Sequence, residues 1–394
     1  VFWRTGTFNF DVAAFAEKWM NDVTDAQNAE GAFTNVSPDT LPGLGRGAIG
    51  APGWADAGVI VPYTTWLQYG DTAILRDSWP AMQRYMDFIL KNNPGYLRTK
   101  ANGFDFADWL APDQRTSKPL IDTAYWALSA QMMSRMAAAI GKPDDAKRYD
   151  DLYANIRAAY QKAYVKDNGD VLSGTQAAYV LTLYMKLAPE SLEPTIADNL
   201  AKAIAANGGH LSTGFLATPF LLFTLADHGH TDVAYQLLLN ETYPSWGYML
   251  SKGATTWWER WNGDTGDPAM NSYNHYAFGS VVAWAYRNVA GIDTTYTSPA
   301  FHEIVIHPRL DDRITQAHGE FESVYGKIVS DWRGTKTGPF ALNVVIPANT
   351  SAKVYLPHVA GAKVLESGKP IKVTESDGSD VIEIGSGTYQ FQVQ

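Results

Sequence analysis

Hydrophobic residues recur every three or four positions along most of the chain, from residue 8 to about residue 292. One stripe joins Phe15, Trp19 and Val23, and another runs from Tyr125 to Ile140. This spacing places the apolar side chains on one face of an α-helix. Besides these two, the pattern predicts helices near residues 59–69, 149–163, 174–187, 194–207, 214–227, 231–240 and 274–290, with a short one at 243–250.

One further predicted helix starts after Asp71, whose side chain can cap it. Pro80 lies inside its apolar pattern. Because proline removes a backbone donor and clashes with the preceding turn, we expect this helix to break at 78–80 and to restart.

The links between the helices alternate in length. Short links lie at Gly70, 141–142 and 228–229, and long ones at 29–55, 93–118 and 241–273. Helical hairpins closed into a double ring give this alternation, with short turns on one side and functional loops on the other. About ten helices are recognisable, so a ring of six hairpins is short by about one, which we assign to the N-terminus.

The pattern changes to strict alternation after residue 296. Phe340, Leu342, Val344 and Ile346 alternate with the residues between them, and turn signals such as Gly368 and 377–378 are frequent. Alternation of this kind predicts half-buried β-strands. We therefore predict a mainly α protein: an incomplete ring of hairpins at 1–295, then a small antiparallel β-sandwich at 296–394.

Composition narrows the possible functions. The 394 residues are 46% hydrophobic, carry a formal charge of −10 and include no cysteine. Disorder, a membrane span and nucleic-acid binding are therefore not expected, and disulfides and thiolate metal sites are excluded. The cell compartment stays open, since a cysteine-free chain is indifferent to redox conditions. Tryptophan is abundant: 13 residues, of which only Trp332 lies after residue 290.

The densest candidate site is the segment 253–262, where Glu259 lies among Trp257, Trp258 and Trp261. Tryptophan faces suit the apolar C–H faces of a sugar ring, and a carboxylate can act as general base on a water molecule. The alternative is a core tryptophan cluster with a Glu259–Arg260 ion pair at its edge.

Two other segments also place an acid beside a tryptophan at the end of a long loop. These are Trp54 with Asp56, and Asp108 with Trp109. Three such loops on one face would form an aromatic, acidic pocket. Alternatively, the two aspartates are helix N-caps and the tryptophans anchor the loops.

The histidines are less informative. His275, at the start of the last predicted helix, is either a donor to a sugar hydroxyl or a structural cap. His228 and His230 are read as surface residues, and His210 has no assigned role. No HExxH, GxSxG or phosphate-binding glycine loop occurs, so neither a metal nor a cofactor is expected.

Four segments together resemble the α-L-rhamnosidases of glycoside hydrolase family 78. They are 53–57, 108–112, 255–261 and 271–281, and the residues at 213–219 between them also fit. The resemblance covers nearly the whole chain. It implies an (α/α)6 barrel followed by a β-sandwich, and hydrolysis of terminal α-L-rhamnosyl groups with inversion.

The same resemblance implies roles for single residues. Glu259 matches the general base, and Trp54, Trp109 and His275 match residues that line the rhamnose subsite. Asp56 matches the acid of a Gly-Trp-Gly-Asp loop. With Asp108, Trp258 and Trp261, these residues form the predicted sugar-binding set. An L-rhamnose-containing glycoside or polysaccharide is the expected substrate.

The sequence departs from the family in one respect. The family carries its general acid in an Asp-Glu-Arg stretch, which would precede Val1. We therefore expect the chain to be the C-terminal part of a rhamnosidase, needing an N-terminal segment to complete the barrel. Because an inverting enzyme needs both an acid and a base, the chain alone is expected to be nearly inactive on substrates with poor leaving groups.

Other functions are compatible with the same residues. A different glycosidase, or a polysaccharide lyase, could use a six-hairpin architecture, although a lyase would need a Tyr or His base and a cation beside a uronate. A non-catalytic sugar-binding module would keep the tryptophan pocket without turnover. A purely structural role is the remaining alternative.

Overall fold

The computed structural model describes residues 1–40, 49–100, 103–113, 115–266 and 272–394. They divide into two compact units. The first contains Val1–Trp3, Asp11–Thr65 and Asp71–Ser280, and the second contains Arg4–Phe10, Trp66–Gly70 and Val281–Gln394. The boundary between residues 295 and 296 stays a prediction.

The first part of the chain is helical. In chain order the helices are α1 Trp3–Asn9, α2 Ala13–Asp25, α3 Ala57–Tyr69, α4 Ala73–Asn92, α5 Lys118–Ala139, α6 Pro143–Tyr164, α7 Gln176–Tyr184, α8 Glu193–Ala206, α9 Thr218–Asp227, α10 Thr231–Leu238, α11 Trp246–Ser251 and α12 Val281–Trp284. A 3₁₀ turn, Ala277–Ser280, precedes α12 and a π-helical segment, Ala285–Ala290, follows it. Consecutive helices α5/α6, α7/α8 and α9/α10 pack as hairpins.

Burial separates the helices into inner and outer members. In α5, α7 and α9 almost the whole circumference is buried, as expected for a helix enclosed on all sides. In contrast, α6 buries one stripe at helical spacing, formed by Tyr149, Leu152, Ile156, Tyr160 and Tyr164. Each hairpin thus pairs an enclosed helix with an amphipathic one.

The predicted break at 78–80 is wrong. Helix α4 runs through Pro80 from Ala73 to Asn92. An interior proline costs about 3 kcal/mol, but α4 buries a long apolar face that includes Trp79, Met82 and Tyr85. Burial of that face outweighs the lost backbone bond. Asp71 does accept the backbone N–H of Ala73, at 2.8 Å.

Two predicted helices begin later than their apolar pattern suggested. Helix α9 starts at Thr218 rather than residue 214, and the last helical segment starts at Ala277 rather than residue 274. In both cases the residues before the helix bond to distant loops. These non-helical residues build the candidate site.

The C-terminal part forms two β-sheets. The strands are β1 Ile292–Thr294, β2 Glu303–Ile306, β3 Gln316–Ser323, β4 Gly326–Gly334, β5 Phe340–Ile346, β6 Ser351–Pro357, β7 Val364–Glu366, β8 Lys369–Pro370, β9 Thr374–Ser376, β10 Ser379–Ile384 and β11 Gly387–Val393. One sheet has the order β1-β2-β6-β10-β9 and the other β3-β4-β5-β11-β7-β8. The pairings are antiparallel except β2 with β6, which is parallel.

The alternation read from the sequence corresponds to this sheet register. Phe340, Leu342, Val344 and Ile346 are buried along β5. Phe391 of β11 lies opposite Leu342, so apolar side chains of neighbouring strands meet on the same face. These cross-strand contacts are what stabilises such a sheet.

Candidate active site

Asp56 lies at the start of α3 and is fully buried. Its carboxylate accepts four hydrogen bonds. The donors are the backbone N–H of Gly53 at 2.7 Å, the hydroxyls of Tyr85 and Ser129 at 3.1 Å each, and Nη1 of Arg98 at 3.3 Å. Both oxygens are therefore occupied within the protein, and this aspartate positions the loop that carries Trp54.

Asp108 is also buried, with 3% of its surface exposed. It accepts the backbone N–H groups of Gly214, Leu216 and Ala217 at 2.7–3.0 Å. Burial raises the pKa of this carboxyl to about 6, while these three donors lower it. The side chain thus joins its own turn to the residues that precede α9, and these bonds hold 214–217 out of the helix.

An aromatic cluster forms between the turn that carries Asp108 and the loop that carries Trp54. Trp54 stacks on Phe106, with ring centroids 4.4 Å apart and planes 29° apart. Phe106 in turn meets the edge of Trp109 at 5.7 Å and that of Phe104 at 4.7 Å. Trp54, Phe106 and Trp109 are partly exposed. The cluster therefore offers flat apolar surface of the kind on which sugar rings stack.

Glu259 lies in a non-helical segment paired with residues 272–275. Its backbone N–H donates to the carbonyl of Ser272 at 2.8 Å, and its Oε2 accepts the N–H of Ser272 at 3.2 Å. The ion pair with Arg260 is not formed. Among the described residues, Oε1 of Glu259 has no hydrogen-bond partner. The carboxylate is thus fixed through one oxygen, and none of these residues engages the other.

His275 and Tyr276 both lie close enough to Glu259 to interact with its charge. Burial lowers the pKa of the His275 imidazole, and the charge of Glu259 raises it. Its Nδ1 faces the backbone N–H of Ala277 at 3.2 Å. With Nδ1 as acceptor, a neutral ring carries its proton on Nε2, which makes Nε2 a donor.

Two aromatic rings pack against the imidazole. Phe215 lies 5.0 Å from it and Tyr276 stacks on it at 4.6 Å. Asn271, part of the same sequence motif, lies outside the described residues.

Trp258 and Trp261 are almost fully buried, at 6% and 2% exposure. Trp261 stacks on Phe278 with centroids 3.8 Å apart, and its indole N–H donates to the carbonyl of Thr213 at 3.2 Å. Trp258 meets the edge of Tyr273 at 5.6 Å. These two tryptophans therefore pack inside the protein next to the site, and they have little exposed surface with which to contact a ligand.

The segment 213–217, which we call the linking segment, brings all three tryptophan-and-acid loops together. Its amides bind Asp108, and Trp109 accepts the N–H of Phe215 at 2.9 Å. Leu216 lies against Gly53, where a Cβ would come within 2.6 Å of its side chain. In the same segment, the carbonyl of Thr213 accepts the indole N–H of Trp261, and the ring of Phe215 packs on His275. The loops therefore share one wall.

Sequence analysis missed two contributors to this arrangement. Phe106 completes the aromatic cluster, and its position two residues before Asp108 was the available signal. Arg98, buried at 1% exposure, balances the charge of Asp56. No local pattern identified Arg98.

Gly214 allows the close approach of the linking segment to the turn at Asp108. A Cβ at this position would lie 2.3 Å from the carbonyl oxygen of Trp109 and 2.4 Å from that of Asp108. We expect Gly214→Ala to lower the free energy of unfolding by about 1–3 kcal/mol, because backbone atoms must move. Urea titration followed by tryptophan fluorescence measures this loss.

The matched control for that substitution is Gly95→Ala. Gly95 is exposed and has open space around its Cβ direction, so a change within about 0.5 kcal/mol is expected. Equal midpoints for the two variants would show that the close approach is not important for stability.

Two other kinds of feature do not occur in the described part of the chain. No group of three or more His, Asp and Glu side chains there could hold a metal ion. None of the helices found there is both long enough and apolar enough to cross a membrane.

Comparison with known families gives two matches. The family described as bacterial alpha-L-rhamnosidase 6 hairpin glycosidase domain matches residues 1–289, and the bacterial alpha-L-rhamnosidase C-terminal domain matches residues 291–369. An α-L-rhamnosidase of Streptomyces avermitilis is 43% identical, covering 100% of this chain and 37% of the relative. One of Formosa agariphila is 33% identical, covering 100% and 44%. The chain thus spans less than half the length of these curated relatives.

Two of the similar solved structures are also α-L-rhamnosidases. The S. avermitilis α-L-rhamnosidase complexed with L-rhamnose superposes with a TM-score of 0.93 at 42% identity, covering 100% of this chain and 37% of that one. The α-L-rhamnosidase from Dictyoglumus thermophilum gives 0.92 at 30% identity, covering 99% and 45%.

These matches confirm the predicted fold class, a six-hairpin helical domain followed by an antiparallel β domain. They also confirm the resemblance read from the tryptophan-and-acid segments, which extends over nearly the whole chain. The chain belongs to the bacterial α-L-rhamnosidase family.

Proposed function

We propose that this chain carries the general-base half of an active site that hydrolyses terminal α-L-rhamnosyl groups with inversion. The observation that carries the proposal is Glu259. Its carboxylate is fixed through Oε2 by Ser272, it forms no ion pair with Arg260, and it lies beside His275. A positioned carboxylate of this kind can remove a proton from an attacking water.

In the proposed reaction, Glu259 accepts a proton from water as the water oxygen bonds to the anomeric carbon. The bond from that carbon to the leaving oxygen breaks on the opposite face, and the leaving oxygen takes a proton from a general acid. An α-L-rhamnoside therefore yields β-L-rhamnose. Nε2 of His275 is suited to donate to a sugar hydroxyl, and Trp54 and Trp109 offer stacking surfaces.

We infer that the general acid comes from another segment. Inverting glycosidases place acid and base roughly 6.5–9.5 Å apart. Of the acids in the tryptophan loops, Asp56 is fully enclosed by four donors and Asp108 by three. Neither has an oxygen available to protonate a leaving group. We therefore propose an N-terminal segment of the same enzyme as the partner that supplies the acid and completes the barrel.

The test compares this chain with a version extended at its N-terminus to the length of the relatives. The substrate is an aryl α-L-rhamnoside, and NMR identifies the anomer first released. We expect the extended enzyme to release β-L-rhamnose and this chain to show little or no turnover.

Two outcomes would contradict parts of the proposal. Turnover by this chain alone would mean that an acid lies within these residues. An extended enzyme that binds L-rhamnose without hydrolysing any rhamnoside would instead favour a sugar-binding module.

A further inference from the structure

The turn at residues 105–110, which presents Phe106 and Trp109, has an unfavourable backbone. Ala107 and Leu110 have φ angles of 54° and 57°, in the left-handed region that residues with a Cβ rarely adopt. Such a conformation persists only where the surroundings hold it. At the C-terminal side of Asp108 the linking segment does this, so the N-terminal side needs its own anchor.

Asp105 is that anchor. Its Oδ1 accepts the backbone N–H of Ala107 at 2.8 Å, and its backbone carbonyl accepts Nζ of Lys118 at 2.8 Å. Asp105 thus bonds directly to the residue with the left-handed backbone. Whatever orients the Asp105 carboxylate also orients the turn.

Asp122 lies one turn after Lys118 on the same face of α5, and Lys118 is the residue that binds the carbonyl of Asp105. Asp122 is buried, with 2% of its surface exposed, and its Oδ1 has no hydrogen-bond partner among the described residues. The Asp105 carboxyl raises the pKa of Asp122. Two neighbouring carboxylates cannot both be charged without a large penalty, whereas one proton shared between them forms a strong bond.

Within the described residues, the other charged and titratable groups that act on Asp122 come from three further parts of the chain. Arg98, from the segment after α4, favours the charged form, but its guanidinium already pairs with Asp56. Asp56, before α3, favours the neutral form. Tyr164, at the end of α6, is an uncharged neighbour. Burial and the neighbouring Asp105 raise the pKa of Asp122, Arg98 opposes the shift, and the resulting pKa is about 8.

We propose that Asp122 is a positioning residue whose neutral carboxyl donates its proton to Asp105 and so holds the turn at 105–110 in place. Loss of that proton above neutral pH turns the bond into repulsion and releases the turn. The consequence for substrate binding, through Trp109 and Phe106, rests on the proposed function. The effect on the turn itself does not.

The first experiment uses the intact chain without substrate. Amide hydrogen exchange of residues 103–113 and tryptophan fluorescence are followed from pH 6 to 9.5, with exchange corrected for its intrinsic pH dependence. We expect one transition with a midpoint near pH 8. Asp122→Asn, which keeps a neutral donor, should retain protection and lose the transition. Asp122→Ala should lack protection at every pH.

Two further variants separate this role from general destabilisation. Asp105→Asn removes the opposing charge, so it should move the midpoint to lower pH even if Asp122→Ala fails to fold. Asp150→Asn, an exposed carboxylate on α6, should keep the midpoint of the unaltered chain. An unchanged transition in Asp122→Asn, or an unchanged midpoint in Asp105→Asn, would overturn the proposal.

The extended enzyme then tests the link to substrate. We expect KM for an aryl α-L-rhamnoside to rise above about pH 8, and Asp122→Asn to abolish that rise while leaving kcat nearly unchanged. If amide exchange in the turn changes with pH as expected but KM does not, Asp122 positions the turn without affecting sugar binding. If no rhamnoside is hydrolysed, the proposed function fails and the exchange result stands by itself.

Discussion

Glu259→Gln is expected to lower kcat of the extended enzyme by about 10²–10⁴-fold, the range for loss of a general base. Glutamine has the same shape, and its amide oxygen can still accept the N–H of Ser272, so the local geometry should survive. It cannot accept a proton from water. Since only the transition state uses that step, KM should change little. Initial rates on an aryl α-L-rhamnoside measure both constants.

Azide provides a sharper version of this experiment. Azide needs no deprotonation to attack carbon, so it should restore turnover to Glu259→Gln and yield a rhamnosyl azide of inverted configuration. Glu241→Gln is the matched control, because Glu241 is an exposed glutamate outside the site. A Glu259→Gln enzyme that keeps more than a tenth of the normal rate would rule out Glu259 as the base.

Asp56→Asn is expected to lower the free energy of unfolding by about 3–5 kcal/mol, the usual cost of breaking a buried ion pair from one side. Arg98 and Asp56 are 1% and 0% exposed, so the guanidinium would keep its charge without a counter-ion. Asp122 cannot replace that counter-ion near neutral pH, since burial keeps it protonated up to about pH 8. Urea titration followed by tryptophan fluorescence measures the loss.

Two further variants show whether this loss of stability comes from the unpaired charge of Arg98. Asp151→Asn breaks the exposed pair with Lys147 and should cost at most about 0.5 kcal/mol. Asp56→Asn combined with Arg98→Met removes both charges and should recover part of the loss, because an apolar side chain of similar size often replaces a buried pair without penalty. A loss below 1 kcal/mol for Asp56→Asn would show that water or another group compensates Arg98.

Sequence reasoning predicted the fold class because it depends on repeated features. The three-and-four spacing marks each helix, and alternation marks strands such as Phe340–Ile346. The boundaries were less accurate where distant residues override local preference. Helix α9 starts at Thr218 because Asp108, more than 100 residues earlier in the chain, binds the amides that would have formed its first turn.

The roles of the acids, like the helix boundaries, depend on residues that are distant in the sequence. Trp54 with Asp56, and Asp108 with Trp109, looked alike in sequence as sugar-binding pairs. In the structure, the carboxylate oxygens accept hydrogen bonds from within the protein, from donors 3–73 residues away for Asp56 and 106–109 residues away for Asp108. Arg98 and the proposed pairing of Asp105 with Asp122 had no local signal. A carboxylate in the sequence is a candidate catalytic or binding group. Its neighbours in the structure decide whether its oxygens are available to a substrate.

The linking segment hydrogen-bonds to neighbouring parts of the chain through main-chain atoms, while the side chains of Phe215 and Leu216 pack on His275 and Gly53. The amides of Gly214, Leu216 and Ala217 bind Asp108, and the carbonyls of Thr213 and Leu216 accept from Trp261 and Tyr125. These bonds are indifferent to which side chain stands at position 215. Replacing the ring of Phe215, which packs on His275 and Phe278, therefore leaves these hydrogen bonds in place and removes its ring contacts. For enzyme engineering, it is a position at which the shape of the proposed sugar pocket can be varied while the main-chain hydrogen bonds of the linking segment are kept.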